Sequence, residues 1–525
     1  MLKSVCAFLV ASVLASGVAD AAAGDPEVKV TGGKIQGYVD SNGVKTFKGI
    51  PYADTTAGEN RWKAPQPVKH WKGTLECKDF GPIAIQNPVP ARDDNPGHPW
   101  TPEYLDVAMT LENGQMGEDC LRVNVWTQAN EGDKLPVIVY IHGGANITGS
   151  GGNDVYDGSA IAQKGVVYVS INYRVGLLGF LAFKDVLGNE VRGNFALQDQ
   201  IEALKWVQKN ISKFGGDPDN VTIMGQSAGS MNVQTLIVSP AAKGLFNRAV
   251  YLSFNGYKSD LLRINSVETA EAESAKELRG YLLSDLRKLS AQELLDLKYA
   301  PSNAVIDGDI LESTIKDAYN SGNFNKVDTI CGFVSGDPYL LDKCLDLGMF
   351  FEPKTSLSLS EYWDIVPDKN LGRMYDPESN PLAAAKAINN DYLAAGYYWA
   401  AKTKDMNDPD HNSFVYFFDH TVTDTPERMA KFGAFHTGDV NYWLNHYTTV
   451  YPRNFTDYDH YLGDVMSSYL VNFAATGDPN DGYLPYWESV KDSPTVSYMY
   501  LGDVVEFELM EPDKADFWTH YVKTY

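Results

Sequence analysis

Residues 214–229 read Phe214-Gly215-Gly216-Asp217-Pro218-Asp219-Asn220-Val221-Thr222-Ile223-Met224-Gly225-Gln226-Ser227-Ala228-Gly229. Val221 to Met224 is a short apolar, β-branched run of the kind that forms a buried strand. It ends in a G-x-S-x-G pentapeptide, Gly225 to Gly229, and Val233 to Ala242 can continue as a helix. Strand, tight turn and helix in that order are the setting of a nucleophile elbow. Such a turn forces strained dihedrals on Ser227, and neighbours without a Cβ leave it room. The hydroxyl then stands clear of the turn, and the Ala228 N–H at the helix start can point into the same space.

Upstream, Leu135 to Ile141 is a continuous apolar run, as a strand covered on both faces would be. It leads into His142-Gly143-Gly144-Ala145-Asn146. A Gly-Gly pair after a buried strand lets backbone N–H groups face a cavity. Two or three such donors beside a serine hydroxyl are what an ester hydrolase needs to hold the oxyanion of a tetrahedral intermediate. Further strands are read at Arg122–Trp126, Gly165–Asn172, Asn247–Phe254, Thr329–Val334 and Phe414–Phe418, with a helix over Asn194–Lys213. Strands alternating with helices predict a mostly parallel sheet with right-handed crossovers. Val28 to Tyr38 and Val44 to Phe47 alternate with period two and read as an N-terminal antiparallel meander. Ser266 to Lys298 reads as a helical insertion, and the Pro-, Asp- and Asn-rich stretch Gln86–Thr110 as a surface loop over the site.

The chain has 525 residues, 44% of them hydrophobic, and a net charge of −24. That balance disfavours nucleic acid and anionic membrane surfaces as partners. Met1 to Ala23 has a basic Lys3, a short apolar run from Val5 to Val18 and an Ala19-Asp20-Ala21 cleavage pattern, as an export signal would. Cleavage after Ala21, with Ala23 nearly as good a site, leaves one domain, residues 22–525; no later stretch suits a membrane anchor. Of five cysteines, Cys6 departs with the signal. Cys77, Cys120, Cys331 and Cys344 remain, an even number in an exported chain. Three pairings are possible; Cys77–Cys120 and Cys331–Cys344 close the shorter loops.

The pattern F-G-G-x4-V-x-I-x-G-x-S-A-G, the Glu118-Asp119-Cys120-Leu121 tetrapeptide and Asn472-Phe473-Ala474-Ala475-Thr476-Gly477-Asp478-Pro479-Asn480 resemble segments of the type-B carboxylesterase/lipase family, which includes the cholinesterases. The resemblance runs from Lys29 to Trp487. It implies an α/β-hydrolase fold and a serine carboxylesterase whose oxyanion donors are Gly143, Gly144 and Ala228. Gln226 stands where many members have Glu, from which no more than a change in local packing is expected. Relatives pair a Cys just after an F-G-P stretch with the Cys of E-D-C-L; Phe80-Gly81-Pro82 has none after it, and Cys77 is the nearest replacement.

By the same resemblance, Gly433-Ala434-Phe435-His436-Thr437-Gly438-Asp439 supplies the base, His436. Gly332 to Tyr339 supplies the acid at Asp337, with Asp342 as the alternative. The order Ser227, Asp337, His436 is the serine–acid–histidine order of α/β hydrolases. Asp439, Arg174, Asp199, Glu118 and Asp119 are expected to be structural. The implied substrate is a small-molecule ester; no metal or organic cofactor is implied. Aromatic (feruloyl-like) or polycarboxylic esters are the alternative substrates, with Trp100, Tyr104, Tyr442 and Trp443 as candidate lining of a gorge. A non-catalytic cholinesterase-like binding protein is the alternative class.

Overall fold

Alternate residues of Leu135–Ile141 face different surroundings. Val137, Val139 and Ile141 join one buried apolar cluster, Ile138 and Tyr140 another. Successive side chains of a strand point to opposite faces, so the two clusters are the two sides of one sheet. The computed structural model describes residues 24–87, 115–257, 264–337, 356–366, 369–422, 433–448 and 454–524.

The sheet has 11 strands. In chain order they are β1 (Tyr38–Val39), β2 (Lys45–Pro51), β3 (Arg122–Thr127), β4 (Leu135–Ile141), β5 (Val167–Ile171), β6 (Gly216–Gln226), β7 (Arg248–Leu252), β8 (Asp328–Val334), β9 (Ser413–Phe418), β10 (Ser497–Leu501) and β11 (Val505–Leu509). Across the sheet they run β11-β10-β9-β8-β7-β6-β4-β5-β3-β2-β1. Pairing is parallel from β5 through β10 and antiparallel at both edges. β6 is the centre: Thr222 to Gly225 pair with Ile138 to Ile141 on one side and with Arg248 to Tyr251 on the other.

Helices cover both faces. On one side lie α1 (Phe195–Asn210), α2 (Ala228–Val238), α3 (Pro381–Met406) and, at the C-terminal end, α6 (Pro512–Thr524). On the other lie α4 (Val440–Trp443) and α5 (Asp457–Thr476), the latter through Leu462, Met466, Leu470 and Phe473. The architecture is that of an α/β hydrolase, as expected. Among the described residues no helix is long and apolar enough to cross a membrane.

The N-terminal meander is divided between two sheets. Glu27–Val30, Gly33–Gln36 and Thr74–Glu76 form a small separate sheet, while β1 and β2 join the large one. The Ser266–Lys298 insertion holds three short helices, Val267–Glu277, Leu283–Leu286 and Ala291–Asp296. Leu278, Leu283, Leu286 and Leu294 fasten it to Trp62, Leu177 and Phe183 as a satellite core.

Candidate active site

β4, β6, β8 and β9 all point their C-terminal ends to one edge of the sheet, where open α/β sheets place their ligands. Ser227 follows β6 directly. Its φ of 58° and ψ of −124° are strained for a residue with a side chain, and such a conformation costs about 1–3 kcal/mol. Both neighbouring elements hold it. Its N–H donates to Leu252 O of β7 (2.9 Å), and its carbonyl accepts from Met231 N–H of α2 (3.1 Å). The glycines are required by contact. A Cβ on Gly229 would lie 2.1 Å from Ile141 O, and one on Gly225 would lie 2.5 Å from the Gly229 carbonyl. Any larger residue would push α2 off the end of β4. Ser227 is half-buried, whereas Gln226 and Ala228 are buried.

The Gly-Gly loop runs against the elbow. A Cβ on Gly143 would come 3.2 Å from Ser227 Cβ and 2.6 Å from Gln226 O. Among the described residues, neither the Gly143 nor the Gly144 N–H is spent on a backbone carbonyl. Ala228 opens α2, where an N–H has no intrahelical acceptor. Gly144 has φ +101°, and the next two residues, Ala145 and Asn146, are also left-handed. His142 Nδ1–H donates to Gly143 O (2.8 Å), and the ring stacks on Tyr173, whose hydroxyl donates to His142 O. Burial pushes the His142 pKa down to about 4, so the ring is a neutral structural brace.

Gln86 is a support that sequence reading missed. Its Oε1 accepts from Thr148 Oγ1–H and from Gly149 N–H (2.7 Å); its Nε2 donates to Ala84 O and Gly149 O, both at 3.1 Å. One buried carboxamide thus clamps the loop that follows the cradle.

Asp337 and His436 come together. Asp337 Oδ1 lies 2.5 Å from His436 Nδ1; Asp337 is fully buried and His436 is 4% exposed. Asp337 Oδ2 accepts from Val334 N–H (3.1 Å), its N–H returns to Val334 O, and its carbonyl accepts from Asn389 of α3 (3.1 Å). The two loops are tied by Gly336 N–H to Ala434 O (2.9 Å). Asp342 lies outside the described residues.

Two more groups act on the imidazole, Asp439 through its charge and Gln226 by contact. Asp439 is fully buried, and its Oδ2 accepts from the Tyr416 hydroxyl (2.7 Å). Burial, with the Asp337 charge adding to it, raises its pKa to about 6. Gln226 Nε2 lies 3.1 Å from His436 Nε2. Gln226 therefore does more than adjust local packing, because its side chain reaches the candidate base itself.

Other expectations meet different outcomes. Arg174 and Asp199 form a buried two-point ion pair (2.7 and 2.6 Å), and Arg61 pairs with Glu118. Tyr442 and Trp443 do not line a gorge: both are buried, the first donating to Asp459 and the second packed edge-on to Tyr416. Trp100 and Tyr104 lie outside the described residues. The Cys77–Cys120 bridge is not formed. Both are buried free thiols, as is Cys331, and burial pushes each thiol up to about 12. Cys344 lies outside the described residues. His420, unremarkable in sequence, sits between Asp459 (2.9 Å) and Asp503 (3.3 Å). Among the described residues no cluster of His, Cys, Asp or Glu could hold a metal ion.

An elbow serine, a glycine cradle and a His–Asp pair thus share one edge of an α/β sheet. The pattern of the Carboxylesterase family matches residues 24–518, and the chain belongs to that family. It is 32% identical over 469 residues to para-nitrobenzyl esterase of Bacillus subtilis (strain 168), covering 85% of this chain and 89% of that protein. It is 36% identical over 300 residues to fumonisin B1 esterase of Sphingopyxis macrogoltabida, covering 55% of this chain and 52% of the relative. The crystal structure of a Geobacillus stearothermophilus carboxylesterase superposes with a TM-score of 0.74 at 28% identity, covering 94% of this chain and 99% of that one.

Proposed function

We propose that this protein hydrolyses small carboxylic esters through an acyl-enzyme on Ser227. The observation that carries the reading is the His436–Asp337 contact at 2.5 Å beside the strained elbow. Asp337 holds the ring proton on Nδ1, which leaves the Nε2 lone pair to act as base. His436 takes the Ser227 proton as the oxygen attacks the ester carbonyl. The resulting oxyanion rests on the N–H groups of Gly143, Gly144 and Ala228, and losing one such donor typically costs about 10²–10³ in turnover. His436 returns the proton to the departing alcohol. Water then attacks the acyl-enzyme with His436 as base; the bond to Ser227 Oγ breaks, His436 returns the proton to that oxygen, and the carboxylic acid departs. Residues 1–21 act as a cleaved export signal in this reading.

The test is hydrolysis of p-nitrophenyl acetate and butyrate by Ser227→Ala and His436→Ala. Each should lose about 10⁴-fold or more in kcat while remaining folded. Hydrolysis by folded Ser227→Ala at the rate of the unchanged enzyme would refute the assignment.

A further inference from the structure

Asn146 closes the glycine cradle in a buried position, with a φ of 60°. It follows Gly144 and Ala145, so three left-handed residues stand in a row. Such a run persists only where its surroundings over-determine it. Hydrogen bonds do so here. Asn146 Nδ2–H donates to Ser302 O (2.9 Å), just past the helical insertion, and the Asn146 carbonyl accepts from Gly176 N–H (2.7 Å). A backbone carbonyl can only accept, so the carboxamide nitrogen faces Ser302 and Oδ1 faces α2. There it accepts from Asn232 Nδ2–H (2.9 Å). The same Asn232 nitrogen also donates to the Tyr173 hydroxyl (3.3 Å), which in turn donates to His142 O (2.6 Å). Asn146, Asn232 and Tyr173 are all buried.

We infer that Asn146 and Asn232 are positioning residues that lock the oxyanion cradle to the helix carrying the nucleophile. The inference rests on the acyl-enzyme reading above. Asn232 stands on α2, which begins directly after Ser227. Through Tyr173 it holds the start of the cradle at His142, and through Asn146 it holds the end. The Gly143 and Gly144 N–H groups lie between these two anchors, so cradle and elbow form one body. An oxyanion is stabilised by donors already aimed at the place where the charge develops. A cradle released from α2 can relax its left-handed turn and swing those donors away. Ester still binds, but the tetrahedral intermediate loses its support. Neither asparagine needs to touch the reacting atoms, because both act through the backbone between them. The bond to Ser302 O fastens the chain returning from the insertion to the same carboxamide, so that segment braces the cradle from outside.

The experiment compares the unchanged enzyme with Asn146→Gly, Asn232→Ala and the double variant, using p-nitrophenyl butyrate and a short alkyl trifluoromethyl ketone as inhibitor. Ser227 Oγ adds to the ketone carbonyl, its proton passes to His436, and the resulting oxyanion occupies the cradle, so the inhibitor reports on the donors directly. Glycine at 146 keeps the left-handed φ available and removes only the carboxamide. Each single variant should lose about 10- to 100-fold in kcat, as a donor displacement of about 1 Å does, with KM changed less than about threefold. The inhibition constant should rise by the same factor as kcat/KM falls. The double variant should lose less than the product of the two single losses, because both residues serve one contact. A merely structural role lowers Tm and leaves kcat and inhibition alone. If Asn146→Gly does not fold, Asn232→Ala reads the same quantities with the left-handed turn untouched. Folded variants with kcat and inhibition within about twofold of the unchanged enzyme overturn the inference, as does a kcat loss that inhibition does not follow. Ser227→Ala separates the two failures. If it is inactive and the asparagine variants are unaffected, only the positioning role falls; if it retains full activity, the acyl-enzyme reading falls.

Discussion

His436 Nδ1 and Asp337 Oδ1 lie 2.5 Å apart across 99 positions of chain. The pair is fixed from three sides. Val334 N–H holds the carboxylate, Asn389 of α3 holds the Asp337 carbonyl, and Gly336 ties the acid loop to Ala434 beside the histidine. A carboxylate fixed in this way sets the tautomer of the imidazole before any substrate arrives.

Asp337→Asn is expected to reduce kcat by about 10⁴-fold, because an amide can present an N–H to Nδ1 and so move the ring proton to Nε2. The fold should survive, since the amide oxygen still accepts from Val334 N–H. Steady-state kinetics beside a thermal melt check both halves of the statement.

Gln86→Ala removes the acceptor of Gly149 N–H and frees the loop behind the cradle. A buried N–H left without a partner costs about 1–3 kcal/mol. A misplacement of the donors by about 1 Å can cost about 10² in rate. The expected result is a lower Tm together with a kcat loss of up to about a hundredfold, with KM changed much less.

His420 gives a pH signature in stability. Burial lowers its pKa, but the hydrogen bond and charge of Asp459, joined by Asp503, outweigh burial and raise it. Burial would raise the Asp459 pKa, but hydrogen bonds from His420, Thr456 and Tyr442 hold it well below the usual carboxylate range. The His420 contribution is therefore full below the ordinary histidine pKa of about 6.5 and is lost as pH rises through the folded value. That of Asp459 is full above about 3.9 and is lost as pH falls through its depressed value. The Tm difference between the unchanged protein and His420→Gln should be largest between about pH 4.5 and 6 and should narrow above neutrality. A difference that stays flat across that range would show that the ion pair plays no part.

Asp439 works in the opposite sense. Its folded pKa of about 6 lies above the ordinary 3.8, so the fold loses stability as pH rises between those values. Asn at 439 keeps an acceptor for the Tyr416 hydroxyl and does not titrate. Asp439→Asn should match the unchanged protein near pH 4 and exceed it by up to about 3 kcal/mol at pH 7 in denaturant unfolding.

What the sequence displays follows the range of each interaction. The elbow and cradle are local: Gly225, Gly229 and the Gly143-Gly144 pair are demanded by neighbours a few residues away or by the adjoining strand, so the pattern is written where it acts. The strands β4 through β9 show because both faces are buried and their runs are uninterrupted. His436 and Asp337 are readable by resemblance and chain order. Gln86, Asn389 and the reach of Gln226 to His436 are not, because each is a single polar contact between distant elements with no periodic trace. α3 escaped because Ala384, Ile388, Leu393, Tyr397 and Ala401 are buried along a helix whose other faces are also largely covered, which flattens the polar–apolar contrast. Tyr442 and Trp443 misled because an aromatic near a base reads alike whether it faces substrate or core.

The central claim is that Ser227 forms the covalent intermediate. The direct measurement is the intact mass of protein treated with a fluorophosphonate ester, followed by mapping of the modified peptide. The account predicts one phosphonyl group per chain, carried on Ser227, appearing as activity disappears, and absent from both Ser227→Ala and denatured protein. Complete loss of activity with Ser227 unmodified, or a stoichiometric label on another residue, would contradict it.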